Sequence, residues 1–289
     1  MAGEQTPGFL DQTRNAGSDC DGMRLDQTVS ALFGISRRRA RRAIDEGGVY
    51  LNRARCRTAG RRIRQGDRLR LVILENESLR PLKAEQILWR QGPLVLICKR
   101  SGQYAQEALH RSRGCIPDEL SALLGSSEDY RPVHRLDRDT SGLMLLCSDA
   151  RLLQHLQRHW HDAVCKRYLA VVEPAPEWQS QDIRLPIGRQ RDALGRYRVD
   201  PEGRECHTEA DVLERRGERA LLSLTAHTGR THQLRVHLSS LGCPILGDRR
   251  YGGRSHARLM LHAEQLCITP PALPEKLDWR CPTEEDWEW

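Results

Sequence analysis

The stretch "HRLDRDTSGLMLLC", His134–Cys147, sets two carboxylates, two guanidiniums and an imidazole in nine positions and then runs straight into five apolar residues. The apolar run reads as buried and strand-like. Runs of the same kind recur at "LVLICK" (94–99), "RYLAVVE" (167–173) and "ALLSLTAH" (220–227), separated by turn clusters and by helical segments at Leu152–Trp160 and Thr231–Leu241. This pattern predicts an α+β domain on a mixed, largely antiparallel sheet, and argues against a doubly wound fold. Charge packed against a buried strand has two explanations: a structural ion network, or a group held there for chemistry.

With 289 residues the chain is long for one core, and two modules are expected. Forty-six Lys and Arg against thirty-nine Asp and Glu leave a net charge of +7, which favours a polyanionic partner. Ten cysteines are scattered without a C-x-x-C pair, as in a reduced cytoplasmic protein most of whose thiols serve as small apolar residues. The first twenty residues lack an apolar signal-peptide core, and no apolar run reaches the roughly 18 residues of a membrane span.

Residues 1–22 are polar and aperiodic, and are expected to form a flexible leader. From Met23, two helices and short strands follow. Ser36 caps a helix carrying Arg37, Arg38, Arg39, Arg41 and Arg42, with Ala40, Ala43 and Ile44 on the inner side, and Gly47-Gly48 ends it. "VYLN" (49–52) and "RLRLVIL" (68–74) read as strands, joined by a loop holding Arg53, Arg55, Arg57, Arg61, Arg62 and Arg64. Few acids lie nearby to neutralise them, so phosphate-backbone binding through Arg37, Arg38, Arg41, Arg42, Arg53 and Arg55 is expected. The segment "RLDQTVSALFGISRRRARRAIDEGGVYLN" with "GDRLRL" resembles an S4 RNA-binding domain over residues 23–75. A linker is expected at 76–88, the catalytic domain at 89–275, and a C-terminal tail at 276–289.

His155, His159 and His161 include an i, i+4 pair, but H-E-x-x-H is missing and no acidic third ligand stands close, so no metal is expected. "DTSG" at Asp139 is a single copy and cannot form an aspartate pair. Neither a G-x-G-x-x-G nor a G-x-x-x-x-G-K-[ST] loop occurs, so no nucleotide cofactor is expected.

Three further stretches carry chemistry-bearing side chains: "HRLDRDTSGLMLL" (134–146), "KRYLAVV" (166–172) and "HTGRTHQLRVHLSSLGCPILGDRRY" (227–251). In this order, from about Leu94 to Pro270, they resemble the RluA family of RNA pseudouridine synthases. The resemblance implies that Asp137 is the catalytic carboxylate, that Tyr168 stacks on the target uracil or assists loss of its C5 proton, and that Arg235 pairs with Asp137. It implies that Arg135 fills the space left by the extruded base, while Arg230, His232 and Gln233 shape the RNA-facing wall. The family's K-P-x-G reads "KRSG" from Lys99, a departure that bears on substrate choice.

The implied reaction breaks the N1–C1′ bond of uridine, turns the base and joins C5 to C1′. It needs no redox cofactor, metal or nucleotide. Base extrusion is required, because C1′ is inaccessible in a stacked strand. The expected partner is RNA, ribosomal RNA in preference to transfer RNA, and the expected state is a monomer. A catalytically lapsed ribosome-assembly factor and a glycosidase using the same carboxylate are the rival readings.

Overall fold

The computed structural model describes residues 9–74, 80–190, 196–284 and 287–289. The chain divides into two compact units: the residues up to Leu79 with Gln106–Asp118, and Arg80–Ala105 with Glu119–Trp289.

The first unit carries β1 (Phe9–Asn15), α1 (Leu25–Phe33), α2 (Arg37–Glu46), β2 (Val49–Leu51), β3 (Ala54–Arg55) and β4 (Arg68–Leu74). Its sheet has the order β1-β4-β2-β3 and is antiparallel throughout. As expected, the Ser36 hydroxyl accepts from Arg39 N, Gly47 ends α2 at φ 91°, and Ala40, Ala43 and Ile44 face the core.

Two expectations need correcting here. Residues 9–22 are no leader: Phe9–Asn15 pairs along β4 and Cys20 is fully buried; residues 1–8 of that segment lie outside the described residues. The segment 106–118, assigned to the catalytic domain from sequence, packs instead with the first unit. There Tyr50 Oη donates to Leu109 O at 2.9 Å, Ser112 N donates to Glu46 O at 2.7 Å, and buried Arg111 pairs with Glu46.

The second unit comprises β5 (Ile87–Gln91), β6 (Leu94–Lys99), α3 (Ile116–Leu123, which begins within the first unit's segment), β7 (Arg131–Pro132), β8 (Ser141–Cys147), α4 (Ala150–Arg158), α5 (Trp160–Ala163), β9 (Val164–Val172) and β10 (Ser180–Ile183). It continues with β11 (Ile187–Arg189), β12 (Tyr197–Val199), β13 (Thr208–Arg216), β14 (Arg219–Ala226), α6 (Gln233–Ser240), β15 (Leu261–Ile268) and β16 (Leu277–Arg280). The main sheet runs β10-β13-β14-β9-β15-β8-β6-β5, with β16 on β15 and β7 on β8, while β11 and β12 form a separate hairpin. Every pairing in the main sheet is antiparallel except β15 with β8. The expected α+β class with a mixed, largely antiparallel sheet is therefore correct.

That one parallel contact joins the two halves of the unit, and Gly142 makes it possible. Its φ is 113°, and a Cβ there would lie 2.3 Å from Ala263 O. No other residue fits the position, because both the backbone conformation and the approach exclude a side chain.

Two more boundaries shift. Residues 76–79 of the expected linker lie outside the described residues; its remainder enters the fold, with buried Gln86 donating to Cys98 O at 2.8 Å. The expected C-terminal tail supplies β16, and Glu284 pairs with buried Arg258 at 3.1 Å. Cys98 and Cys281 are joined as a disulfide, where the sequence reading expected a reduced protein; the other eight cysteines form no disulfide, and Cys165 is exposed. Among the described residues, no helix is long and apolar enough to cross a membrane.

Candidate active site

The loop before β8 is pinned from below. Lys99, fully buried at the end of β6, donates from Nζ to Arg138 O (2.7 Å), Gln103 O (2.9 Å) and Arg100 O (3.1 Å). Burial pulls its ammonium down to about 7 against the raising influence of Asp139 and Asp137. Gly102 N also donates to Arg138 O, and Ser101 Oγ donates to Asp139 O at 2.9 Å. The "KRSG" turn thus cradles the loop through backbone oxygens. At the loop's other end His134 stacks on Trp160 and accepts from Leu145 N at 3.1 Å, and burial, then the Lys166 charge, lower it to about 3.

What this loop presents is Asp137. Arg235 of α6 donates from Nη1 to Asp137 Oδ2 at 3.2 Å, across 98 residues of sequence. The same guanidinium lays Nε and Nη2 on the two oxygens of Asp248, at 2.7 and 2.8 Å, and sits over the Tyr251 ring at 5.0 Å. Burial opposes the Arg235 charge, but Asp248 and Asp137 outweigh it and hold the group firmly cationic. Asp248 is itself locked, accepting from Arg250 N and Tyr251 N.

His232 caps α6 in the left-handed region, at φ 57°, an uncommon conformation for a residue with a side chain. Its Nδ1 shares a 2.6 Å hydrogen bond with Tyr251 Oη, and its Nε2 lies 3.7 Å from Asp137 Oδ2. Burial outweighs the attraction of Asp137 and lowers this histidine to about 4, so it is neutral at pH 7. Tyr168, on β9, faces the same space. Burial and the nearby Asp137 charge raise its phenol well above the usual range, so the hydroxyl stays protonated.

Asp137, Tyr168, His232 and Arg235 line one open cleft, together with Arg135, Thr140, Thr228, Gly229, Arg230, Gln233 and Leu261. The structure gathers Asp137, Tyr168, Arg235, Arg135, Arg230, His232 and Gln233 around it. Gln233 stands in the cleft wall with its amide bonded within the chain. Its Oε1 accepts from Thr228 Oγ1 and Arg230 N, and its Nε2 donates to His207 O and Thr208 Oγ1, which exhausts the amide. It builds the wall. Sequence reasoning missed Asp248, although "GDRRY" was in view, and missed Lys166, which is 5% exposed, lies two residues before Tyr168 on the same strand face and is lowered to about 8 by burial.

The arginine-rich module also differs from the sequence expectation. Fully buried Asp26 takes Arg24, Arg37 and Arg41 at 3.1, 3.1 and 2.8 Å. Burial acts to raise this carboxyl, but the three guanidiniums hold it far below the usual carboxylate range. Arg42 pairs with Glu46 one turn on. Arg55 turns inward, donating to Gly47 O and to Ala108 O, and is the one residue of the expected RNA-binding set whose guanidinium is spent on the backbone. Arg38 and Arg53 are exposed.

With that geometry in place, three comparisons bear on it. A family model described as RNA pseudouridylate synthase matches residues 93–240, and an S4 domain model matches residues 23–69. An RNA pseudouridine synthase of Synechocystis sp. is 32% identical over 273 residues, covering 88% of this chain and 84% of the relative. The ribosomal large subunit pseudouridine synthase C of Vibrio cholerae is 30% identical over 290 residues, covering 92% and 91%. The solved structure of human RNA pseudouridylate synthase domain containing 1 superposes with a TM-score of 0.59 at 27% identity, covering 71% of this chain and 86% of that one. The chain belongs to the RNA pseudouridine synthase family, whose members are isomerases, and carries an S4 domain ahead of the catalytic fold.

Proposed function

We propose that this enzyme converts uridine to pseudouridine in large-subunit ribosomal RNA, in the cytoplasm, with Asp137 as the catalytic carboxylate. The observation that carries the assignment is the Asp137–Arg235–Asp248 chain, whose Asp137 and Arg235 line a cleft bordered by Tyr168. Asp137 is oriented by a cation that is itself immobile, and pre-set geometry of this kind lowers the barrier without reorganisation during reaction. Asp137 either attacks C1′ or assists loss of the C2′ proton as the N1–C1′ bond breaks. The freed uracil turns against the Tyr168 ring, C5 bonds to C1′, the C5 proton leaves, and N1 is protonated. Formula and oxidation state are unchanged. Arg135 and Arg230 flank the cleft and suit phosphate or extruded-base contacts.

The ribosomal preference rests on the S4 module and on the name of the Vibrio relative. Mapping pseudouridine in total RNA with and without the protein tests it: a modified large-subunit site supports the proposal, and modification of transfer RNA alone overturns it. For the residue, Asp137→Asn is expected to abolish tritium release from RNA containing 5-tritiated uridine while RNA retention on filters persists. Full activity of that variant removes Asp137 from its role. Free uracil in the products would mark glycosidase chemistry instead.

A further inference from the structure

At one end of the β10-β13-β14 strip, four ligand-type side chains converge on the outward face. Asp182 of β10 stands directly opposite Glu209 of β13 in the register. His207 precedes Glu209 by two residues, and so lies on its side of the strand. His227 follows β14 and donates its backbone N–H to His207 O at 3.2 Å. The two imidazoles stack at 4.1 Å between centroids, 13° from parallel. His207 Nε2 is 2.7 Å from Asp182 Oδ1 and 4.0 Å from Glu209 Oε1, and His227 Nε2 is 3.2 Å from Glu209 Oε1. One ligand atom each from His207, Glu209 and His227 falls within 4.8 Å of the others.

We propose that Asp182, His207, Glu209 and His227 bind one divalent transition-metal ion of the zinc class. With metal–ligand bonds of about 2.0–2.1 Å, a tetrahedral ion needs its ligand atoms roughly 3.3 Å apart. The His227–Glu209 pair already meets that spacing, the wider gaps among His207, Glu209 and His227 close by up to about 1.5 Å through side-chain rotation, and the 2.7 Å His207–Asp182 contact opens slightly. Two imidazole nitrogens select zinc, copper or nickel over magnesium and calcium, which take oxygen ligands. The hydrogen bond between His207 and Asp182 gives way to coordination when the ion enters.

The position gives the ion a structural consequence. His207 N donates to Thr228 Oγ1 at 3.0 Å, and His207 O accepts from Gln233 Nε2. Thr228 and Gln233 both line the cleft. An ion tying His207 to His227 therefore clamps the start of β13 to the end of β14, and with them the 228–230 wall.

The test uses the full chain, stripped with a chelator and exchanged into metal-free buffer, with Zn²⁺ titrated by calorimetry and Co²⁺ by absorbance. One equivalent of Zn²⁺ is expected, unaffected by excess Mg²⁺, with a Co²⁺ spectrum lacking the thiolate charge-transfer band that exposed Cys165 would produce. His227→Ala and Glu209→Gln should each weaken binding at least tenfold while the urea midpoint of the metal-free protein stays unchanged. Should the midpoint move, His227→Asn provides the same reading with a smaller change. The proposal is overturned if no stoichiometric ion is taken up, leaving ion pairs only, if the variants bind as tightly as wild type, or if the cobalt spectrum reports sulfur.

Discussion

Arg235 holds Asp248 at 2.7 and 2.8 Å and Asp137 at 3.2 Å, so the guanidinium is anchored to the buried acid and offered to the half-buried one. Asp248 is thereby a positioning residue, acting on the reaction only through Arg235. Asp248→Asn should lower kcat at least tenfold with RNA affinity changed less than threefold, and should cost about 3–5 kcal/mol in urea unfolding, the usual effect of leaving a buried charge with half its partners. Single-turnover tritium release beside filter binding measures the split. Wild-type kcat in this variant would mean that Arg235 needs no anchor.

Tyr168 separates two contributions by one atom. Tyr168→Phe keeps the aromatic face and loses the hydroxyl, which is held protonated beside Asp137. Tritium release should slow about 10²-fold or more, the scale of a lost proton-transfer group, while binding of RNA is kept. Near-normal release would reduce Tyr168 to a stacking surface.

His134 sets an acid limb to stability. Its imidazole is lowered to about 3 in the folded chain, against roughly 6.5 when unfolded. Between those values the unfolded chain takes up a proton that the native one refuses, so stability is complete above about pH 6.5 and declines as pH falls toward 3. The slope is at most about 1.4 kcal/mol per pH unit for one proton. His134→Gln retains an acceptor for Leu145 N–H and should flatten the decline, as urea midpoints across that range will reveal; an identical slope would place the acid limb elsewhere, with His232 the next group to examine.

Asp26 gathers three arginines without exposure to water. Asp26→Ala leaves these cations without their shared acid and should destabilise the S4 unit by about 3–5 kcal/mol. Because the folded carboxyl lies below its ordinary value, the wild-type advantage is present above about pH 4 and fades as the pH drops further. Thermal unfolding of wild type and variant at neutral and acid pH measures this. A variant with unchanged stability at neutral pH would show that the arginines are solvated rather than held.

The apolar strand runs, the capped arginine helix and the pairing of Asp137 with Arg235 were readable because each rests on periodicity, cap chemistry or a motif. Phe9–Asn15 was not, since an edge strand buries only part of one face and "FLDQTRN" has little apolar alternation to display. The β16 strand "LDWR" is short and mixed in the same way. Asp26 lies in the first turn of α1 with no local pattern to mark it; only the fold brings Arg37 and Arg41 onto it. Gln233 shares a motif with Arg235, yet the motif does not disclose that its amide is consumed within the chain. The His207–His227 pair is separated by twenty residues and flanks the ends of two adjacent strands, a spacing that strand length sets and no local pattern marks.

Gly142 carries a consequence for how the molecule comes into being. The strand it opens stays without its parallel neighbour until Ala263 has been made, more than a hundred residues later, and Asp137 stands immediately upstream. Contacts of that sequence span form late in folding. A nascent chain would thus present its arginines to RNA well before it owns a working carboxylate, so grip should precede chemistry during synthesis.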